Sequence, residues 1–210
     1  MRTFPKIQSP WKRDEKGKFL YDQPSEPWLE LLGHFPYWSA TEKLDGTNIR
    51  ISRAESGELQ IGGRTDRAEL PAPLMRWIEG HEGFSNLEAG FTLFGEGIGA
   101  GIQKDGGLYG EPRFVLFDVW GDFSGRWGEQ DEVTDMANLL ALERAHTYDG
   151  LYTIAGWRMS LMYAGQGLKE LPSSQGNRQI EGVVLRPSLE MSTKFGRVIT
   201  KMKIKDFTRD

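Results

Sequence analysis

Apolar and polar positions along this chain alternate more often than they recur at helical spacing. YWSATEKLDGTNIRIS, residues 37–52, reads as strand, turn and strand, with Asp45-Gly46 as the turn of a hairpin. Glu58–Gly63 follows the Ser56-Gly57 turn as another strand. Phe91–Glu96 and Arg113–Trp120 are short apolar runs of the kind that form buried strands, and Gln179–Arg186 and Arg197–Lys205 end the pattern as strands. Helical spacing is strongest over Asp131–Ala145, where Val133, Met136, Ala137, Leu140 and Arg144 share a face. Trp157–Leu171 reads as a second helix, weakened at its end by Gly165 and Gly167. Pro73–Gly80 and Glu26–Phe35 read as short ones. Residues 1–36 otherwise look like an irregular lead-in, since 1–27 hold four of the ten prolines. Mixed strands with few helices predict an α+β fold in one domain spanning 1–210.

Composition narrows the chemistry. The 210 residues are 38% hydrophobic and 27% charged, and seven Trp, eleven Phe and six Tyr are available for a core, so the chain is globular and not disordered. No run approaches the roughly eighteen apolar residues of a membrane span, and the first residues lack the apolar segment of a secretory leader. With no Cys, disulfides, thiolate zinc, iron–sulfur clusters and a thiol nucleophile are all excluded. Three scattered His give no basis for a His-based metal site. These features lead us to expect a cytoplasmic protein.

Charge is uneven. The net charge is −4, yet residues 1–20 and residues 194–210 each carry six basic and two acidic side chains, which leaves 21–193 at −12. If the two ends meet, they form a basic surface on an acidic body that attracts a polyanion locally; if not, they are two solvated termini.

The sharpest segment for chemistry is Thr41-Glu42-Lys43-Leu44-Asp45-Gly46-Thr47-Asn48. A Lys at a strand end, followed at once by an Asp-Gly turn, projects its amine beside the turn. Taken alone, it also fits an ordinary hairpin with a surface Lys. Other segments change that balance: Arg64 in GGRTDR, Phe94-Gly95-Glu96-Gly97, Leu116-Phe117-Asp118, Glu181-Gly182-Val183-Val184 and Lys201-Met202-Lys203. In that order they resemble the motifs of the covalent nucleotidyltransferases, the polynucleotide ligases and capping guanylyltransferases. The wording of ATEKLDGTN, FGEGIGAGIQ and EGVVLRP is most similar to the ATP-dependent RNA ligases of the phage RNA ligase 2-like branch. The resemblance covers about residues 38–207. There are two departures: Asp45 has the form found in DNA ligases and capping enzymes, where some RNA ligases of this branch have His, and no OB-fold or helical domain follows the fifth motif.

The resemblance implies an ATP-grasp-like nucleotidyltransferase domain of antiparallel sheets flanked by helices. It implies ATP as the nucleotide, with Mg²⁺ or Mn²⁺. Lys43 would attack the α-phosphorus to give a lysyl-AMP. AMP would then pass to a 5′-phosphate, and a 3′-hydroxyl would join the ends. Lys201 and Lys203, at i and i+2 on a strand, share a side and could both neutralise phosphate charge. Glu181 would hold the metal, mainly through water. Glu96 would accept from the ribose, Phe117 would stack on the purine, Arg64 would contact phosphate, and Glu42 and Asn48 would lie beside the nucleotide. Trp127 and Trp157 read as core in preference to base-stacking residues. Expected partners are RNA ends, a nicked duplex or DNA. A DNA nick sealer, a GTP-using capping enzyme and a nucleic-acid-binding module without chemistry are the alternatives.

Overall fold

The computed structural model describes residues 1–34, 38–167 and 169–208. Along these run β1 (Trp11–Arg13), β2 (Phe19–Pro24), α1 (Trp28–Leu32), β3 (Trp38–Lys43), β4 (Thr47–Arg53), β5 (Leu59–Gly63), α2 (Ala72–Gly80), β6 (Phe91–Ile98) and β7 (Arg113–Gly121). They are followed by β8 (Arg126–Trp127), α3 (Gln130–Leu139), β9 (Glu143–Arg144), β10 (Thr147–Tyr152), α4 (Ile154–Gly165), β11 (Gly182–Pro187), β12 (Ser192–Thr193), β13 (Gly196–Arg197) and β14 (Thr200–Lys203). A 3₁₀ turn, Ile204–Phe207, follows β14. The chain packs as two compact units. The first comprises residues 1–5, 44–145 and 175–178, and the second residues 6–43, 146–174 and 179–210.

In the first unit the sheet order is β5-β4-β6-β7-β8, antiparallel throughout, with β9 added parallel to β7. Strand alternation sorts its two faces. Ile49, Ile51, Leu93 and Leu116 are fully buried and share a core with Leu74 and Ile78 of α2 and Val133 and Ala137 of α3. The other face carries Asn48, Arg50 and Glu96. Arg50 is buried with its guanidinium satisfied by Gly63 O at 2.8 Å, Arg2 O at 3.3 Å and Asp66 at 2.6 Å. The N-terminal residues lie on this face: the Phe4 ring is 5.2 Å from Phe94 and 5.1 Å from Phe117, and Arg2 sits 3.5 Å over Trp120. A β-bulge in the β6–β7 pairing leaves Phe117 as the extra residue.

In the second unit the antiparallel order is β10-β3-β11-β14. Ala40, Val183, Leu185 and Met202 point to a core closed by Trp28, Trp38, Trp157, Leu161 and Phe207. Thr153 caps α4, accepting from the Gly156 N–H at 3.0 Å. A separate hairpin, β1–β2, packs its Trp11 and Phe19 against the same core.

Several sequence expectations hold and others need correction. The α+β class is observed. The α1, α2, β5, β6, β7 and β11 segments fall where expected, and Trp127 and Trp157 are buried. The 37–52 segment does form two strands, but they are not a hairpin. β3 pairs with β10 and β11, whereas β4 pairs with β5 and β6. An Asp-Gly signal reports a reversal, not which partner each strand takes. The Asp131–Ala145 helix stops at Leu139. Ala141 adopts a left-handed φ of 50°, the Leu142 N–H returns to Ala137 O at 2.8 Å, and the chain continues as β9. Leu140 and Leu142 stay buried, so the apolar spacing carries on after the helix has ended. The Trp157–Leu171 helix instead runs Ile154–Gly165. The lead-in holds β1, β2 and α1 and is less irregular than its prolines suggest. The expected Arg197–Lys205 strand divides into β13, β14 and the 3₁₀ turn. Phe35, Tyr37 and Leu168, at the margins of expected elements, lie outside the described residues.

Leu116 is fully buried in the first unit's core. Truncation by Leu116→Ala is expected to destabilise that unit by about 2–5 kcal/mol, through lost transfer energy and the cavity left behind. Chemical denaturation of both proteins would measure it.

Candidate active site

β11 runs between β3 and β14, and its first residue, Gly182, is opposite Lys43 on one side and Lys203 on the other. The residue before it, Glu181, lies just outside the strand and reaches both lysines. Its Oε2 pairs with Lys43 Nζ and its Oε1 with Lys203 Nζ. The three side chains are 21%, 14% and 25% exposed for Lys43, Glu181 and Lys203, so they are shielded but still reachable from solvent. Gly182 permits this closeness, because a Cβ there would lie 2.0 Å from Met202 O. The Ile204 N–H donates to Glu181 O at 2.9 Å and fixes the backbone at the strand's entry.

Burial is the largest influence on the Glu181 carboxyl and pushes it up. The Lys43 charge and the hydrogen bonds from Lys203 and Lys43 together outweigh it and hold the carboxyl below its ordinary range. Lys201, opposite Val184, lies two residues from Lys203 and on the same side of β14, half-buried. Its backbone N–H donates to Gln8 O at 3.1 Å.

Glu42 faces the other way. Its cross-strand neighbour is Val183, whose side chain lies in the core, and Glu42 is itself buried. It accepts hydrogen bonds from the Ser173 hydroxyl, the Ser174 N–H at 3.0 Å and the Ser174 hydroxyl at 2.6 Å. The fold therefore does not bring it together with Lys43, although the two are consecutive. Buried beside it, the Tyr148 hydroxyl is pushed well above its ordinary range, first by desolvation and then by the Glu42 charge.

The remaining sequence candidates belong to the first unit. Asn48 and Glu96 are direct cross-strand partners on β4 and β6, and Val115 completes the row on β7. Asn48 Oδ1 is buried with no hydrogen-bond partner among the described residues. Gly63 pairs with Ile49, so Arg64, exposed, leaves β5 at the Asn48 end of the sheet. Phe117 is half-buried, with Phe4 edge-on against it.

Three residues that sequence reasoning missed shape the turn after Lys43. The Tyr109 hydroxyl accepts from the Asp45 N–H at 3.0 Å, Gln103 Nε2 donates to Gly46 O at 2.8 Å, and Arg178 Nη2 pairs with Asp45 Oδ2 at 3.4 Å. Arg178 also lies 4.7 Å over the Tyr109 ring. Glu96 adds an acceptor for the Gly46 N–H at 3.2 Å. A Cβ on Gly46 would lie 2.1 Å from Gly97 O, so only glycine fits. Tyr109, Gln103 and Arg178 are far from the turn in sequence; Gln103 ends the FGEGIGAGIQ segment, whereas Tyr109 and Arg178 sit in no motif, so no local signal marks those two.

Two ammoniums held by one carboxylate, beside a third cation on the same strand face, make a site suited to phosphate chemistry. The sheet-rich arrangement is that of a nucleotidyltransferase, and the chain belongs to the RNA ligase family, whose model matches residues 36–203. Solved structures agree on the fold. A mutant of the Naegleria gruberi RNA ligase with AMP and Mn superposes at a TM-score of 0.62 and 19% identity, over 95% of this chain and 61% of that one. An archaeal ATP-dependent RNA ligase superposes at 0.63 and 21% identity, over 99% of this chain and 49% of that one. The same Naegleria ligase with PPi gives 0.58 at 20% identity, over 95% and 61%. The chain thus spans between about half and three-fifths of these relatives. No curated protein matches it.

The depressed Glu181 carboxyl has a definite sign in stability. It contributes above the unfolded value near 4.5, and the contribution is lost as pH falls through the lower folded value. Wild type is therefore expected to lose stability to acid more steeply than Glu181→Gln between about pH 5 and pH 2. Denaturation midpoints across that range would measure it.

Proposed function

We propose that this chain is an ATP-dependent RNA ligase acting through a covalent lysyl-AMP at Lys43. The observation that carries the reading is the Lys43–Glu181–Lys203 cluster on three adjacent strands. It supports a nucleophile placed among groups that handle phosphate. In the first step Lys43 Nζ, its extra proton passed to solvent, attacks the α-phosphorus of ATP. The N–P bond forms, the bond to the β-phosphate oxygen breaks, and pyrophosphate departs with the electron pair. Lys203 and Lys201, as cations on one strand face, offset charge growing on the α-phosphate oxygens. In the second step a 5′-phosphate oxygen attacks the same phosphorus, the N–P bond breaks, and Lys43 takes up a proton. In the third a 3′-hydroxyl oxygen, its proton passing to solvent, attacks the 5′-phosphorus; the phosphoanhydride bond breaks and AMP leaves with the electron pair.

Among the described residues no group of three or more His, Asp or Glu could hold a metal. Mg²⁺ binds through one or two carboxylates and keeps most of its water. Glu181 is the carboxylate that would hold it, with oxygen lone pairs left over from its two lysine contacts. When bound, the cation supplies positive charge at the transferring phosphate. The ribose, purine and phosphate roles of Glu96, Phe117 and Arg64, and the places of Asn48 and Glu42 beside the nucleotide, rest on their motif positions; that of Glu42 is the weakest because its carboxylate already has three donors. The Naegleria relatives with AMP or ATP and Mn are consistent with the nucleotide and metal assigned.

Purified protein freed of bound AMP and incubated with Mg²⁺ and α-³²P-ATP is expected to retain label through denaturing electrophoresis. The label should be acid-labile, and Lys43→Ala should reduce it to background. Label from GTP in place of ATP would favour the capping reading, and no label from either would remove the covalent mechanism. Joining of RNA ends against DNA ends then assigns the polynucleotide.

A further inference from the structure

The structure brings the two basic ends of the chain together within the second unit. Gln8 bridges Thr200 in β14, accepting from the Lys201 N–H at 3.1 Å and the Thr200 hydroxyl at 2.9 Å. Phe19 of β2 lies 5.8 Å from Phe207, and Arg13 of β1 pairs with Asp206 at 3.0 Å. Residues 6–24 carry five basic and three acidic side chains, and residues 194–208 five and one. Lys6, Lys12, Arg13, Lys16, Lys18 and Lys205 are all exposed. Two of the nearby acids are already engaged. Asp14 closes the hairpin turn by accepting from the Lys16 and Lys18 N–H groups at 2.9 and 2.8 Å. Asp206 holds Arg13 and accepts from the Lys203 N–H at 3.3 Å.

The hairpin is also held rigidly. Trp11 packs edge-on against Phe19 at 5.5 Å and Tyr21 at 5.0 Å. Arg158 of α4 lies 3.7 Å over the Tyr21 ring, and Arg13 lies 4.0 Å over Phe19. Its exposed cations therefore project from a fixed scaffold, which lowers the ordering cost of binding a polyanion. The same unit links the hairpin to the reacting groups: Arg13 to Asp206, Asp206 to the Lys203 backbone, Lys203 to Glu181, and Glu181 to Lys43.

We propose that the β1–β2 hairpin, with the C-terminal segment against it, is a docking surface for the phosphodiester backbone of an RNA strand whose end is processed at Lys43. This rests on the ligase reading for the identity of the polyanion. The surface is basic on a chain of net charge −4, so backbone phosphate is the complementary ligand. A ligand held this way binds with little sequence preference and weakens as salt rises.

The test uses the full chain and a 5′-phosphorylated single-stranded RNA of about twenty nucleotides, followed by fluorescence anisotropy over a NaCl series. The charge-reversal variant K6E/K12E/K16E is expected to weaken binding at least about tenfold near 0.1 M salt and to lower the log–log salt slope by about 2, at roughly 0.7 per lost phosphate contact. Labelling of Lys43 by ATP should be unchanged. The neutral variant K6Q/K12Q/K16Q guards against a folding defect and should fall between the two. Unchanged affinity and slope in either folded variant overturns the proposal, as does wild-type protein that labels with ATP but binds no RNA. Wild-type protein that binds RNA through the hairpin but never labels would support the docking surface and remove the ligase reading.

Discussion

A carboxylate shared by two ammoniums is stable only while all three groups stay in register. Here that register is set by main-chain pairing, not by side-chain flexibility. Gly182 is opposite both Lys43 and Lys203, so Glu181 cannot leave one lysine by a shift of β11 without leaving the other. Removing a single partner from such a shielded cluster leaves an uncompensated charge, and that costs more than the pair itself gains. The cluster is therefore conditional on the sheet. The sheet in turn depends on the core beneath it, where Val183 of β11 and Met202, the residue beside Lys203 on β14, are both buried. For Lys43, Lys201 and Lys203, chemistry on one face and packing on the other follow the same period-two rule, while Glu181 precedes β11 and is not bound by it.

That rule also explains what could be read in advance. The strands carrying Glu96 and Phe117 were legible as short apolar runs, and the strand carrying Lys43 from the Asp45-Gly46 turn that follows it. Lys201 and Lys203 were legible as neighbours because i and i+2 share a face. Glu42 shows the limit of reading motifs without faces: it adjoins Lys43 in sequence and points to the core side with its own three donors. Sheet membership was not legible at all. An Asp-Gly turn between two strands normally signals a hairpin, yet β3 and β4 join different sheets, because their best partners are β11 and β6, distant in sequence. The end of α3 was missed for a related reason. Leu140 and Leu142 continue the apolar spacing while Ala141 has already left the helical region.

The turn after Lys43 received its definition from residues whose part in it no pattern announces. Tyr109, Gln103, Glu96 and Arg178 each contact Asp45 or Gly46, and Gly97 leaves no room for a Cβ on Gly46. Four separate contacts on two residues over-determine a short segment, which is how a backbone is kept from relaxing into a commoner turn. Because Lys43 directly precedes it, the path of the chain beyond the lysine is set by this turn and the path before it by β3.

Electrostatics separates the basic ends from the rest of the chain in a way that net charge conceals. Residues 21–193 carry −12, so a polyanion meets mostly repulsion from the chain. Exposed charges further apart than about 8 Å at physiological salt are largely screened, and a phosphate near the hairpin therefore feels the local cations more than the distant acids. Long flexible lysines would lose part of that advantage to ordering. Rings and guanidiniums stacked on β1 and β2 hold the backbone that carries them, so only the side-chain tips remain to be ordered. An acidic protein can in this way keep a basic contact surface, provided that the surface is small, rigid and joined by short hydrogen-bonded links to the groups that react.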